Sequence, residues 1–146
     1  MKPTKEELAK KYNEYNVLYF NGKLQQLTKN NFFYINKNST QCGRYSYKKD
    51  KNGKIINQIW IGTCIEWNEE RLMNVLVHEM IHMYNVTVEH SRFNGIFGHG
   101  RSFRKQCRRI KKEFGITIHI HCNYEQINKM PPPSFLEKAF VWLIDR

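Results

Sequence analysis

The stretch from Trp67 to Asn85, WNEERLMNVLVHEMIHMYN, limits what this chain can fold into more than any other. Leu72, Val75, Leu76 and Met80 recur at helical spacing, and Val77 and Ile81 widen the stripe. Asn68 is a good N-cap, and Glu69 and Glu70 suit the positive end of a helix. No proline or glycine interrupts the run. The spacing therefore predicts a central, buried helix. The same helix carries His78-Glu79-Met80-Ile81-His82. Residues four apart lie one turn apart on one face, so His78 and His82 can put two imidazoles on one metal ion. Glu79 shares their rim, where a carboxylate can take a proton from a water on that metal. H-E-x-x-H at this spacing is the zinc metallopeptidase arrangement. A core helix with two incidental histidines would show the same five residues, and a third ligand elsewhere in the chain separates the two cases.

The chain has 146 residues, enough for one compact domain with a real core. The expected layout is a single domain over residues 1–146, with its core at about 4–122 and a C-terminal extension at 123–146. No apolar run is long enough to cross a membrane. The N-terminal MKPTKEELAKKYNEY lacks the apolar segment of a secretory signal, so an intracellular location is expected. Cys42, Cys64, Cys107 and Cys122 are scattered and form no C-x-x-C pair. In a reducing compartment they are expected to be thiols packed as small apolar residues. Lys and Arg number 24 against 13 Asp and Glu, a net charge of +11, which favours polyanionic partners and nucleic acid first.

Around the central helix the period changes several times. Thr4 to Tyr19 reads as a helix opened by a T-x-x-E cap with Glu7 and closed by Asn21-Gly22. Leu8, Tyr12, Tyr15 and Tyr19 share one face. Phe32 to Ile35, Cys42 to Tyr47 and Ile55 to Ile61 read as strands. The last two form a hairpin around Asn52-Gly53, with a lysine-rich tip. Arg101 to Phe114 reads as a second helix after Gly98-His99-Gly100, with Phe103, Cys107, Ile110 and Phe114 as its buried stripe. Ile116 to Cys122 alternates like a strand, and Ser134 to Ile144 repeats a capped helical pattern after Pro131-Pro132-Pro133. The order gives an α+β fold: a small antiparallel sheet packed against the H-E-x-x-H helix, with a second ligand-bearing helix beside it.

A catalytic zinc usually takes three protein ligands and keeps one position open. Glu89, His90, His99, His119 and His121 are candidates for the third. His99 is the best placed, because its flanking glycines let the backbone approach closely and it opens a helix. Zinc would lower the pKa of a bound water, with Glu79 as general base. The second donor for the oxyanion is open among Tyr84, Arg92 and Tyr124. On the helix after His99, Arg101, Arg104, Lys105, Arg108 and Lys112 are candidate phosphate contacts. Trp60 and Trp67 are candidate stacking residues for unpaired bases.

VLVHEMIHMYN, then GHGRSF, with YFNGKL upstream, resembles the SprT-like domain of Spartan-type metalloproteases. The resemblance runs from the first helix to about Phe114. It implies a zincin-like domain with zinc on His78, His82 and His99, and Glu79 as the general base. It also implies proteolysis coupled to DNA, in some members the removal of proteins crosslinked to DNA. Many such chains continue into a zinc ribbon with paired cysteines, whereas IHIHCNYEQINKMPPP holds only Cys122. Any DNA contact would then fall to the basic helix and hairpin, and stacking on exposed aromatics would favour single strands. Three functions follow: a DNA-associated zinc protease, a zinc peptidase indifferent to DNA, or a non-catalytic zinc-stabilised nucleic-acid-binding module.

Overall fold

In the computed structural model of the chain, residues 2–90, 98–122, 124 and 125 are described. The expected helix over Ser134 to Ile144 lies outside them, as does all of the extension except Tyr124 and Glu125. The elements run α1 (Lys5–Phe20), a short 3-10 turn (Lys29–Asn31), β1 (Phe32–Tyr34), β2 (Gly43–Lys49), β3 (Ile55–Ile61), α2 (Glu69–Thr87) and α3 (Arg101–Phe114). Among the described residues this is a small α+β arrangement of three strands and three helices.

The caps form where the side chains predict them. Thr4 accepts the backbone N–H of Glu7 at 3.1 Å, and Asn21 ends α1 in the left-handed region at φ 52°. Asn68 accepts the backbone N–H of Arg71 at 2.8 Å and starts α2. Asp50 accepts the N–H groups of Asn52 and Lys54, and Gly53 supplies the positive φ that closes the β2–β3 hairpin.

The sheet order is β1-β3-β2. β2 pairs with β3 antiparallel as expected, but β1 pairs with β3 parallel. The sheet is therefore mixed, not antiparallel. The hairpin uses one edge of β3, which leaves β1 the other. Residues 35–42 carry the chain across β3 between them, so β1 and β3 point the same way.

Alternation sorts the sheet's two faces. Asn57, Ile59 and Ile61 turn inward and are buried, while Trp60 stays half-exposed on the outer face. The inward face meets α2, whose Leu76, Val77, Met80, Ile81 and Met83 are fully buried. Leu8, Tyr12 and Phe20 of α1 close the core from one side, and Phe103 and Ile110 of α3 join the same cluster. α3 differs in detail from its expected stripe: Gln106 is buried, whereas Phe114 is 38% exposed and meets Tyr19 edge-on. Trp67 is core, its indole N–H bonded to the Gly62 carbonyl at 2.9 Å.

Two expectations fail together. Ile116 to Cys122 is not a strand but an irregular strap along α2. Cys42 and Cys122 are not thiols but form a disulfide, with Cα atoms 6.2 Å apart. Cys64 and Cys107 lie outside any disulfide. The two bonded cysteines are 80 positions apart in sequence, which is why spacing did not pair them. They meet because the strap ends beside the start of β2. Burial pushes the Cys107 thiol up to about 11, against the pull of Arg104 and Arg108, so it stays protonated at neutral pH.

The disulfide closes a long loop, and its removal should be felt mainly through the unfolded chain. Cys42→Ser with Cys122→Ser should lower unfolding free energy by about 2–4 kcal/mol in a urea titration. Equal midpoints for the variant and the wild type would mean that the bond contributes nothing to stability.

Candidate metal centre

α2 is largely buried and presents His78 and His82 one turn apart on one face. The third imidazole comes from the entrance to α3. Gly98 takes a positive φ of 77°, Gly100 caps the helix in extended geometry, and His99 stands between them. Arg104, one turn into α3, donates from Nε to the His99 carbonyl at 3.1 Å and holds that corner.

The three rings converge. Each of His78, His82 and His99 offers a nitrogen, and these atoms lie within 4.8 Å of one another. The ring centroids form a near-equilateral triangle with sides of 5.0 to 5.1 Å. Nε2 of His78 and Nε2 of His99 are 3.1 Å apart. Two nitrogens on one tetrahedral zinc, each at about 2.0–2.1 Å, would be separated by roughly 3.3 Å. The donor set therefore fits a metal ion. The tautomer of His78 fits too: its Nδ1 lies 2.8 Å from the His119 carbonyl, which can only accept, so Nδ1 carries the proton and Nε2 keeps its lone pair.

One residue beneath the rings was legible only as core. Phe103 is fully buried, and its ring lies 4.8, 4.7 and 4.8 Å from those of His78, His82 and His99. It is the common floor of all three imidazoles. Its place three residues beyond Gly100 was the available signal.

Glu79 is wholly buried, with Oε2 3.9 Å from Nε2 of His78. Its neighbour on the sheet side is Gly43, the first residue of β2. A Cβ there would stand 2.7 Å from Val75 Cγ1 and 2.9 Å from Glu79 Oε2. Gly43 thus makes room for the carboxylate, a requirement that no local motif announced.

The other candidates separate cleanly. Glu89 and His90 sit exposed just past the end of α2 and do not join the group. His119 is exposed and serves through its backbone. His121 brings its ring within 6.0 Å of His99 but stays outside the three-nitrogen cluster. Tyr84 packs against Phe20, and Arg92 lies outside the described residues. Tyr124 lines a cleft with His78, Val75 and Cys42. Burial raises the pKa of its phenol although the Arg71 guanidinium over the ring opposes this, so it remains a hydrogen-bond donor. Among the basic residues of α3, Arg101, Lys105, Arg108 and Lys112 are exposed, and so is Arg104 despite its bond to His99. Trp60 is half-exposed but engaged, stacked on Phe33 with Arg44 over its ring.

A small α+β domain with three histidines converging on the face of a buried helix defines a candidate metalloprotein. The chain belongs to the SprT-like family, whose profile matches residues 8–123. No curated protein matches it. Among the described residues, no helix is long and apolar enough to cross a membrane.

Gly43→Ala tests how tightly the carboxylate is seated. Overpacking against Val75 and Glu79 should cost about 1–3 kcal/mol of stability in chemical denaturation. An unchanged unfolding midpoint would show that the seat is loose.

Proposed function

We propose that this chain is a zinc metallopeptidase with a zincin-like fold, acting on proteins bound or crosslinked to DNA. The observation that carries the proposal is the buried Glu79 carboxylate beside three converging imidazoles. A structural metal site has no use for that carboxylate.

His78, His82 and His99 would hold the metal, and three imidazole donors with an open position suit zinc. When bound, zinc supplies a lowered water pKa and a polarised scissile carbonyl. Glu79 takes the proton of the attacking water and gives it to the leaving amine as the peptide bond breaks. Phe103 stops the imidazoles from rocking, so the lone pairs stay aimed at one point. Tyr124 is the best-placed donor for the oxyanion, since it lines the cleft beside His78.

The DNA part of the proposal rests on charge. Arg101, Lys105, Arg108 and Lys112 recur at i, i+4, i+7 and i+11, so they form one exposed row along α3. That row begins two residues after His99. A row of cations grips phosphates without reading sequence, and such binding weakens steeply with salt. Lys48, Lys49, Lys51 and Lys54 at the hairpin tip add to the same sign of charge.

Two experiments test the two parts separately. Glu79→Gln should retain zinc and lose about 10²–10⁴-fold in cleavage of a basic DNA-binding protein, assayed with and without single-stranded DNA. Wild-type rates in Glu79→Gln would remove the general base. Glu79-dependent cleavage that ignores DNA would leave a zinc peptidase that chooses substrates by charge. Lys105→Glu with Arg108→Glu should weaken DNA binding and flatten its salt dependence, with zinc content unchanged. Identical affinity at low salt would take α3 out of the DNA surface.

A further inference from the structure

We propose that Asn74 is a positioning residue for His78 and sets how tightly the three-histidine centre holds its metal. The proposal rests on the metal-centre reading above and extends it to a residue outside the three-histidine group.

Asn74 lies one turn before His78 on α2 and is 6% exposed. Its Nδ2 donates to the Thr117 carbonyl at 2.7 Å, and its Oδ1 accepts the His119 backbone N–H at 2.9 Å. One planar amide thus meets an acceptor and a donor of the strap, as a neighbouring strand would. Only a side chain with both functions can do this. Aspartate keeps the acceptor but loses the donor, and an apolar residue loses both and deprives two peptide groups of the strap of these partners.

The grip on the strap reaches the metal centre in one step. The His119 carbonyl, in the residue whose N–H Asn74 holds, accepts the Nδ1–H of His78 at 2.8 Å. A neutral imidazole carries one proton. Fixing it on Nδ1 leaves Nε2 as the ligand atom, and Nε2 is the atom that faces His99 at 3.1 Å. Asn74 therefore orients the first ligand through the backbone of the strap. Hydrogen-bond partners of metal-ligating histidines typically carry 10–100-fold in metal affinity.

The test compares wild type, Asn74→Ala and Asn74→Asp. Zinc affinity is measured by competition with a chromophoric chelator. The tautomer of His78 is read in the metal-free protein from its ring ¹⁵N shifts, and metal-free thermal unfolding monitors the fold. Asn74→Ala should bind zinc about 10–100-fold more weakly and show His78 partly protonated on Nε2. Asn74→Asp should fall between Asn74→Ala and wild type. A folded Asn74→Ala with unchanged zinc affinity and an unchanged tautomer would overturn the proposal. Should Asn74→Ala not fold, the same two readings on Asn74→Asp decide. If wild type binds no zinc, the metal-centre reading fails by itself, and the tautomer comparison still judges Asn74.

Discussion

Three imidazoles standing on one buried phenyl ring are the contact on which the rest of this structure depends. The histidines are between 4% and 9% exposed, and Glu79 between them is fully buried. Polar groups taken out of water at a core boundary are costly unless they are bonded, paired or coordinated. Such a cluster persists only where rigid elements hold it. α2 supplies two rings and the carboxylate, the Gly98-His99-Gly100 corner supplies the third ring, and Phe103 of α3 fits beneath all of them. The α2–α3 packing that completes the core also assembles the candidate site. A core mutation at Phe103 would therefore disturb the candidate site and stability together.

The second organising contact joins α2 to a segment without regular structure. The strap after α3 alternates in sequence, and alternation alone predicts a strand. Its peptide groups find their partners on a helix instead. Asn74 holds Thr117 and His119, and His78 holds the His119 carbonyl. The Cys42–Cys122 bond then fastens the end of the strap to the start of β2, where Gly43 faces Glu79. Both sides of the catalytic candidates are thus tied to one short stretch of chain.

What was legible in the sequence follows from the range of each interaction. The caps at Thr4 and Asn68, the turn at Asp50 to Gly53 and the stripe of α2 are local, and all stand as their residues imply. His78 and His82 are local partners as well. His99 could be singled out because its flanking glycines and the following helix make a recognisable corner. The parallel pairing of β1, the disulfide and the seat of Glu79 against Gly43 were not legible. Each joins positions far apart in sequence through a geometry that exists only once the sheet lies on α2. Asn74 escaped for a related reason. A buried asparagine on an apolar stripe looks like a flaw until its two partners arrive from 43 and 45 residues away.

Charge on α3 shows how burial revises a count. Seven basic residues between Arg101 and Lys112 suggest a uniform polyanion surface. Arg109 is half-buried, bonded to the Tyr19 carbonyl, to Gln106 and to Glu113, with its guanidinium over Phe20. It joins α3 to α1 and has little left to offer a phosphate. Arg104 supports the backbone of His99, so reversing its charge would perturb the candidate metal centre as well as any nucleic-acid contact. Lys111 is exposed, and Arg101, Lys105, Arg108 and Lys112 form one exposed row. A helix that anchors the fold with one arginine and the His99 corner with another can vary its outer row without losing either. In the DNA-associated reading proposed above, salt dependence would therefore follow the row, and metal occupancy would not.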